Sequence, residues 1–129
     1  MKTTFFYVGI RVKDLQQSID FYVNVLGMTL KARHRIRETQ GEIAILESGD
    51  DGFNLELNYY AQASPYNVPY VVGEGLDHLA FKVENLAEAM KEAERLGFPC
   101  ILDITTTGPS SEIRWAYIED PNGIWIELN

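Results

Sequence analysis

The sequence contains a displaced copy of itself. It ends Gly123-Ile124-Trp125-Ile126-Glu127-Leu128-Asn129, and 71 positions earlier it reads Gly52-Phe53-Asn54-Leu55-Glu56-Leu57-Asn58. The same shift lays Val8-Gly9-Ile10-Arg11-Val12 on Leu79-Ala80-Phe81-Lys82-Val83, and Asp14-Leu15 on Asn85-Leu86. A repeat of this length constrains the architecture before any local reading, because each copy must be the same supersecondary unit.

Each copy predicts one helix. Asp14 with Gln17, and Asn85 with Glu88, form capping boxes. Leu15, Ile19, Tyr22 and Leu26 recur at helical spacing in one copy, and Leu86, Ala89, Met90, Ala93 and Leu96 in the other. Gly27 and Gly97 stand where a left-handed residue closes a helix. The second helix is expected to be one residue shorter, so the shift falls to 70 there and returns to 71 by the last strand. Strands are predicted over 5–12, 29–37, 42–48 and 53–59, then over 76–84, 98–105, 112–119 and 123–128. Turn residues 50–52 and 120–123 precede the last strand of each copy. The expected fold class is α+β: one domain, 1–129, of two tandem β-α-β-β-β modules forming a curved mixed sheet around a cleft. The modules span 5–59 and 76–129, and a Pro- and Gly-bearing hinge, 60–75, joins them.

Composition narrows the function. Hydrophobic residues at 46% and charged residues at 23% describe a globular chain. No apolar stretch is long enough for a membrane span, and the first residues lack a signal-peptide pattern. The single cysteine, Cys100, has no partner for an internal disulfide. A cytoplasmic protein that does not engage membranes is expected. Nineteen acidic against eleven basic residues give a net charge of −8, which repels phosphate backbones and argues against nucleic acid as a partner.

Strand alternation then sorts the side chains. Val8, Ile10 and Val12, Leu55 and Leu57, Leu79, Phe81 and Val83, and Ile126 and Leu128 form apolar faces that must pack under the helices. The opposite face collects Tyr7, Arg11, Glu56, His78, Lys82, Trp125 and Glu127. The repeat pairs Tyr7 with His78 and Glu56 with Glu127, each 71 apart. One imidazole and two carboxylates (Glu56, His78, Glu127) suit a divalent ion such as Ni, Co, Mn, Fe or Zn, with positions left for water or substrate. The other reading is a pair of glutamates solvated on an open sheet face.

The segments Gly9-Ile10-Arg11-Val12-Lys13-Asp14-Leu15, Ser18-Ile19-Asp20-Phe21-Tyr22, Val25-Leu26-Gly27-Met28, Leu55-Glu56-Leu57, Asp77-His78-Leu79-Ala80-Phe81 and Glu119-Asp120-Pro121-Asn122-Gly123 with Ile126-Glu127-Leu128 resemble the vicinal oxygen chelate superfamily. That group includes glyoxalase I, bleomycin-resistance proteins and extradiol dioxygenases. The resemblance is nearest to glyoxalase I, whose ligands are His, Glu, His and Glu on the first, fourth, fifth and eighth strands. Glu56, His78 and Glu127 match the last three, and Tyr7 stands at the first. A phenol with a pKa of about 10 is a poor ligand for such an ion. Tyr7 would instead hydrogen-bond a bound water or substrate, or mark a site that has lost its ion.

The resemblance implies a metal-dependent lyase or isomerase acting on a small α-oxygenated substrate, free or thiol-conjugated, through an enediolate-like intermediate. Glu127 or Glu56 would move the proton, Arg11 and Lys82 would attract an anionic substrate, and Tyr7 and Trp125 would line its site. It also implies a homodimer. A metal-free protein that sequesters an aromatic or cationic compound is the alternative, favoured by Tyr7 and Trp125. An extradiol-type oxygenase is a third, against which the lone histidine of the set argues.

The remaining signals are local. Lys31, Arg33, Arg35 and Arg37 read as an outer strand whose cations discourage edge pairing, or as a rail for an anionic tail. His34 is expected to be partly buried and hydrogen-bonded. Tyr59, Tyr60, Tyr66 and Tyr70 would pave a dimer seam or stack on a ligand. Cys100 is expected in the core, and 105–111 as a loop over the cleft.

Overall fold

The computed structural model describes residues 2, 7–49, 52–74, 76, 78–107 and 112–129. The chain divides into two compact units, Met1–Tyr70 and Val71–Asn129. The first contains β1 (Tyr7–Arg11), α1 (Leu15–Asn24), β2 (Thr29–Ile36), β3 (Gly41–Ser48) and β4 (Phe53–Tyr60). The second repeats the order with β5 (His78–Phe81), α2 (Leu86–Arg95), β6 (Leu102–Thr107), β7 (Glu112–Glu119) and β8 (Trp125–Leu128). Each unit holds a four-stranded mixed sheet, ordered β1-β4-β3-β2 in one and β5-β8-β7-β6 in the other.

The strand registers carry the repeat into three dimensions. β1 runs parallel to β4 with Tyr7 opposite Asn54, and β5 runs parallel to β8 with His78 opposite Trp125. Both registers are offset by 47 residues (54 − 7 and 125 − 78), as a shift of 71 between equivalent strands requires.

Both helix starts follow the sequence. Asp14 accepts from the Gln17 amide at 2.8 Å and Asn85 from the Glu88 amide at 3.2 Å, each satisfying an amide that the helix leaves open. The ends differ from expectation. Both helices have ten residues, so the missing residue lies in the cap that follows. After α2, Gly97 (φ +93°) bonds back to Glu94 and Phe98 to Ala93, a Schellman closure. After α1 the extra residue is taken up by a wider turn. The Leu26 amide reaches Phe21 at 3.4 Å and the Met28 amide reaches Tyr22 at 3.0 Å, with Gly27 at φ +68°.

Packing is uneven between the units. α1 buries Leu15, Ser18, Ile19, Phe21 and Tyr22. Ile10, Val12, Leu46, Leu55 and Leu57 are also buried in that unit, each worth about 1.5–3 kcal/mol as a fully buried side chain. α2 buries only Ala93, and Leu86, Ala89 and Met90 stay half-exposed. In the second unit Ile118, Ile126 and Leu128 are buried, while Leu79 and Phe81 are half-buried.

Several boundaries move. The strand predicted over 76–84 is only His78–Phe81, leaving Lys82 exposed beyond its end. The one predicted over 98–105 starts at Leu102, because Phe98 completes the helix cap. Cys100 therefore precedes the strand, half-buried, its thiol donating to the Leu102 carbonyl at 3.3 Å. Thr105–Thr107 belong to β6 and pair with β7, and residues 108–111 of the predicted loop lie outside the described residues. β2 is an edge strand, as its cations suggested. A bulge between Leu30 and Ala32 breaks its alternation, and Arg33 reaches Gln16 of α1 at 2.7 Å and Glu42 at 2.8 Å. His34 is exposed, contrary to expectation, because it lies on the open face of that edge strand.

Candidate functional site

The helix covers one face of each sheet, and the other face carries the polar residues. In the second unit, alternation brings His78 and Ala80 of β5 beside Trp125 and Glu127 of β8. The small Ala80 side chain opposite Glu127 leaves room for a diagonal contact. His78 Nε2 stands 3.5 Å from Glu127 Oε2. That is long for a strong hydrogen bond. It matches the spacing of two donors that each lie about 2.1 Å from one ion, so this imidazole–carboxylate pair fits a divalent cation.

Glu127 is held at both oxygens. The Tyr117 hydroxyl donates to Oε2 at 2.8 Å, and the Asn129 side-chain amide donates to Oε1 at 2.5 Å. Antiparallel pairing of β7 with β8 sets Tyr117 directly opposite Glu127. Tyr117 is also packed by rings: its centroid lies 5.6 Å from His78, edge to face, and 5.4 Å from Trp125. Trp125 remains 40% exposed, an aromatic surface beside the pair.

The first unit repeats this arrangement with different chemistry. Tyr7 takes the place of His78, Asn54 that of Trp125 and Asn58 that of Asn129. Ile45 lies opposite Glu56, where Tyr117 lies opposite Glu127. Glu56 is half-buried and makes no hydrogen bond or ion pair among the described residues. Gly9 keeps space beside it, since a Cβ there would come within 3.3 Å of Asn58 Nδ2 and 3.9 Å of Glu56 Oε1. Tyr7 is 41% exposed.

Further along β1, Arg11 is engaged within its own unit. Its Nη2 donates to Asn67 Oδ1 at 3.0 Å and to the Val68 carbonyl at 2.6 Å, and its guanidinium lies 5.7 Å from the Tyr70 ring centre. Lys13 lies 5.4 Å from the same ring. A cavity of about 460 Å³ opens here, lined by Arg11, Lys13, Tyr59, Tyr60 and Tyr70 among others. Tyr60 itself packs on Tyr66 at 5.7 Å. Thus Arg11 lines an unexpectedly structured pocket, and Lys82 is exposed without an ion pair among the described residues.

His78, Glu127 and Trp125 are therefore brought together in the second unit, and Tyr7 and Glu56 belong to the first. Among the described residues no group of three or more His, Cys, Asp and Glu side chains gathers to hold a metal ion. Sequence reasoning missed Tyr117 and Asn129. The signal was available: Tyr117 and Glu127 are each five residues from Asn122, the centre of the turn joining their strands.

A model of the glyoxalase/bleomycin resistance protein/dioxygenase superfamily matches residues 4–128, and the chain belongs to that superfamily. The resemblance read from the sequence is borne out. Its relatives include the uncharacterized YwbC of Bacillus subtilis (strain 168), 37% identical over 124 residues, covering 95% of this chain and 93% of that one. The lactoylglutathione lyase of Salmonella typhimurium is 34% identical over 121 residues, covering 92% and 86%. Among solved structures, the trypanothione-dependent glyoxalase I of Leishmania major superposes with a TM-score of 0.73 at 27% identity, covering 98% of this chain and 86% of that one. No helix among the described residues is long and apolar enough to cross a membrane.

Proposed function

We propose that the protein is a metal-dependent lyase or isomerase of the glyoxalase type, acting on a small α-oxygenated, thiol-conjugated and anionic substrate. The observation that carries this reading is the His78–Glu127 pair, 3.5 Å apart on the uncovered face of its sheet. Its support from outside the chain is the similarity to lactoylglutathione lyases. His78 and Glu127 would hold the cation, with Glu56 as the third protein donor. When bound, the cation supplies Lewis-acid stabilisation of negative charge on two neighbouring substrate oxygens.

The chain's own residues do the rest. A carboxylate, Glu56 or Glu127, takes the proton from one substrate carbon and returns it to the neighbouring carbon, so the product is an isomer and no oxidant is needed. Arg11 and Lys82 favour an anionic substrate tail on an otherwise acidic protein. Tyr7 hydrogen-bonds substrate or water, and Trp125 offers an apolar wall. The active form is a homodimer, which light scattering of the purified protein tests.

The test is titration of metal-stripped protein with Ni, Co, Mn, Fe and Zn, followed by an assay with the hemithioacetal of an α-oxoaldehyde and glutathione. Stoichiometric uptake that is lost in His78→Ala, with isomerisation dependent on the ion, is the expected result. Absence of uptake in the unmodified protein rejects the reading. It would favour a metal-free protein that binds an aromatic ligand, for which Tyr7 in place of a histidine and the exposed Trp125 ring speak.

A further inference from the structure

We infer that the first unit carries a second binding site, a cavity of about 550 Å³ on the helix side of its sheet, which takes a small aromatic anion: a planar ring bearing a carboxylate or phosphate. The site goes beyond the proposed function and shares no residue with it. Strand registers build it row by row. Arg33, Ala44 and Leu57 lie side by side across β2, β3 and β4, and Ala44 and Leu57 are fully buried. Arg33 reaches Gln16 in the first turn of α1, so this row belongs to the covered face. The next row, Arg35, Glu42 and Tyr59, loses that cover: Arg35 is exposed, and Glu42 and Tyr59 are half-buried. These three line the cavity with Arg37, Gln40 and Ala61 among others. Glu56, opposite Ile45, belongs to the other face of the same sheet.

Charge and rim select the ligand. One Glu42 oxygen accepts from Arg33 at 2.8 Å, and the other stands 3.9 Å from Arg35 Nε, too far for a hydrogen bond. The Arg35 side chain is 92% exposed, and Arg37 makes no ion pair among the described residues. Two guanidiniums with donors to spare therefore share one cavity with the Tyr59 ring, in a protein of net charge −8. A guanidinium pairs with carboxylate or phosphate through two parallel bonds, and the volume suits a ring-bearing molecule better than a bare ion. The rim is braced in advance. The Ala61 amide donates to the Gln40 carbonyl at 3.0 Å, and the buried Ser64 hydroxyl donates to the Thr39 carbonyl at 2.5 Å. Gln40 holds φ +50°, the one positive value among the described non-glycine residues, so a side chain is kept on the rim where glycine would be free of strain. Cations that served only to discourage edge pairing would need neither the ring nor the braced rim.

The experiment titrates the whole ¹⁵N-labelled chain with phenyl phosphate, benzoate, inorganic phosphate and benzyl alcohol, and follows the backbone amide shifts. Phenyl phosphate or benzoate should give saturable shifts at the amides of Ile36, Gly41, Glu42 and Ala61, and leave the amides of β8 unmoved. The tighter of the two identifies the anionic group. Replacing both arginines, Arg35→Gln with Arg37→Gln, should weaken that binding by about tenfold or more, the worth of one or two charge-assisted bonds. The melting temperature should stay the same, because both side chains are exposed. Tyr59→Leu should reduce the aromatic anion to the affinity of inorganic phosphate. Equal affinity for inorganic and phenyl phosphate in the unmodified protein overturns the site, since the strand is then only charged. Equal affinity for benzyl alcohol overturns it too, since the cavity is then only apolar. Shifts that persist in the double arginine variant, or no saturable shift by about 10 mM of either aromatic anion, likewise refute it.

Discussion

The turn Asp120-Pro121-Asn122-Gly123 sets where β8 begins, and hence which residues of β8 face the site. Asp120 is 4% exposed and Asn122 1% exposed. Asp120 Oδ1 accepts from the Asn122 and Ile124 amides, both at 2.8 Å, and Oδ2 accepts from the Asn122 side-chain amide at 2.9 Å. Asp120→Ala strands three buried donors. At about 1–3 kcal/mol for each unsatisfied group, partly relieved by water entering the turn, the loss should be about 3–5 kcal/mol. Asp120→Asn can keep the two backbone bonds and loses mainly the third, so it should cost about 1–2 kcal/mol. With a urea slope of about 1.5–2 kcal/mol/M, the alanine variant should lower the midpoint by about 1.5–3 M and the asparagine variant by about 0.5–1.3 M. Hydrogen exchange adds a local reading, since protection of the Ile124 amide should collapse in the alanine variant first. If the two variants unfold at the same urea concentration, or if Ile124 keeps its protection in Asp120→Ala, the carboxylate is not what holds the turn.

Three further outcomes are expected. Tyr7→His places a zinc-ligand type at the position equivalent to His78 and should tighten Zn²⁺ binding; an unchanged affinity would place Tyr7 outside the metal's reach. Gly41→Ala should destabilise the protein by about 2 kcal/mol or more, because its Cβ would stand 2.6 Å from the backbone oxygen of Tyr59, and thermal melting would show it. The Arg33 guanidinium, hydrogen-bonded to Glu42, holds that carboxyl below its ordinary range. A depressed folded-state pKa adds stability above the unfolded value and loses it as pH falls through the folded one. Glu42→Gln should therefore melt lower than the unmodified protein at pH about 6, by the modest amount of an exposed pair, and converge with it at pH about 2.5. An equal gap at both pH values would exclude the pair.

Much of the fold was legible because the repeat repeats its hydrogen bonding. Tyr7 opposite Asn54 and His78 opposite Trp125 are one register expressed twice, so aligning the sequence with itself also aligned the parallel strand pairs. Helix starts were legible because a cap is a local bond between Asp14 or Asn85 and an amide three residues on. Helix ends were less so. One extra residue can be absorbed in the helix or in the turn after it, and only the bonds from Leu26 and Met28 back to Phe21 and Tyr22 decide for the turn. His34 is exposed because Arg33 lies opposite buried Ala44 and reaches α1, which leaves His34 on the open face of the edge strand, a choice of face that alternation along one strand does not reveal. Within the site, the His78–Glu127 contact follows from alternation plus the repeat. The Tyr117 bond needed a second count, outward from the turn centre at Asn122 along an antiparallel hairpin.

Duplication explains why the two halves can differ in chemistry without differing in shape. Ala44 and Ala116, and Leu46 and Ile118, occupy equivalent positions in β3 and β7, and all four are fully buried. These residues are constrained by packing against a helix and have stayed alike in size. The open face carries no such constraint, and equivalent positions differ there, among them Tyr7 against His78, Asn54 against Trp125, and Ile45 against Tyr117. Each change moves hydrogen-bonding capacity or aromatic surface to one module. The second module gains an imidazole, an indole and a phenol around Glu127, while the first leaves Glu56 with an aliphatic neighbour. The repeated module therefore carries two different open faces, with Glu127 held by two hydrogen bonds in one copy and Glu56 making none among the described residues in the other.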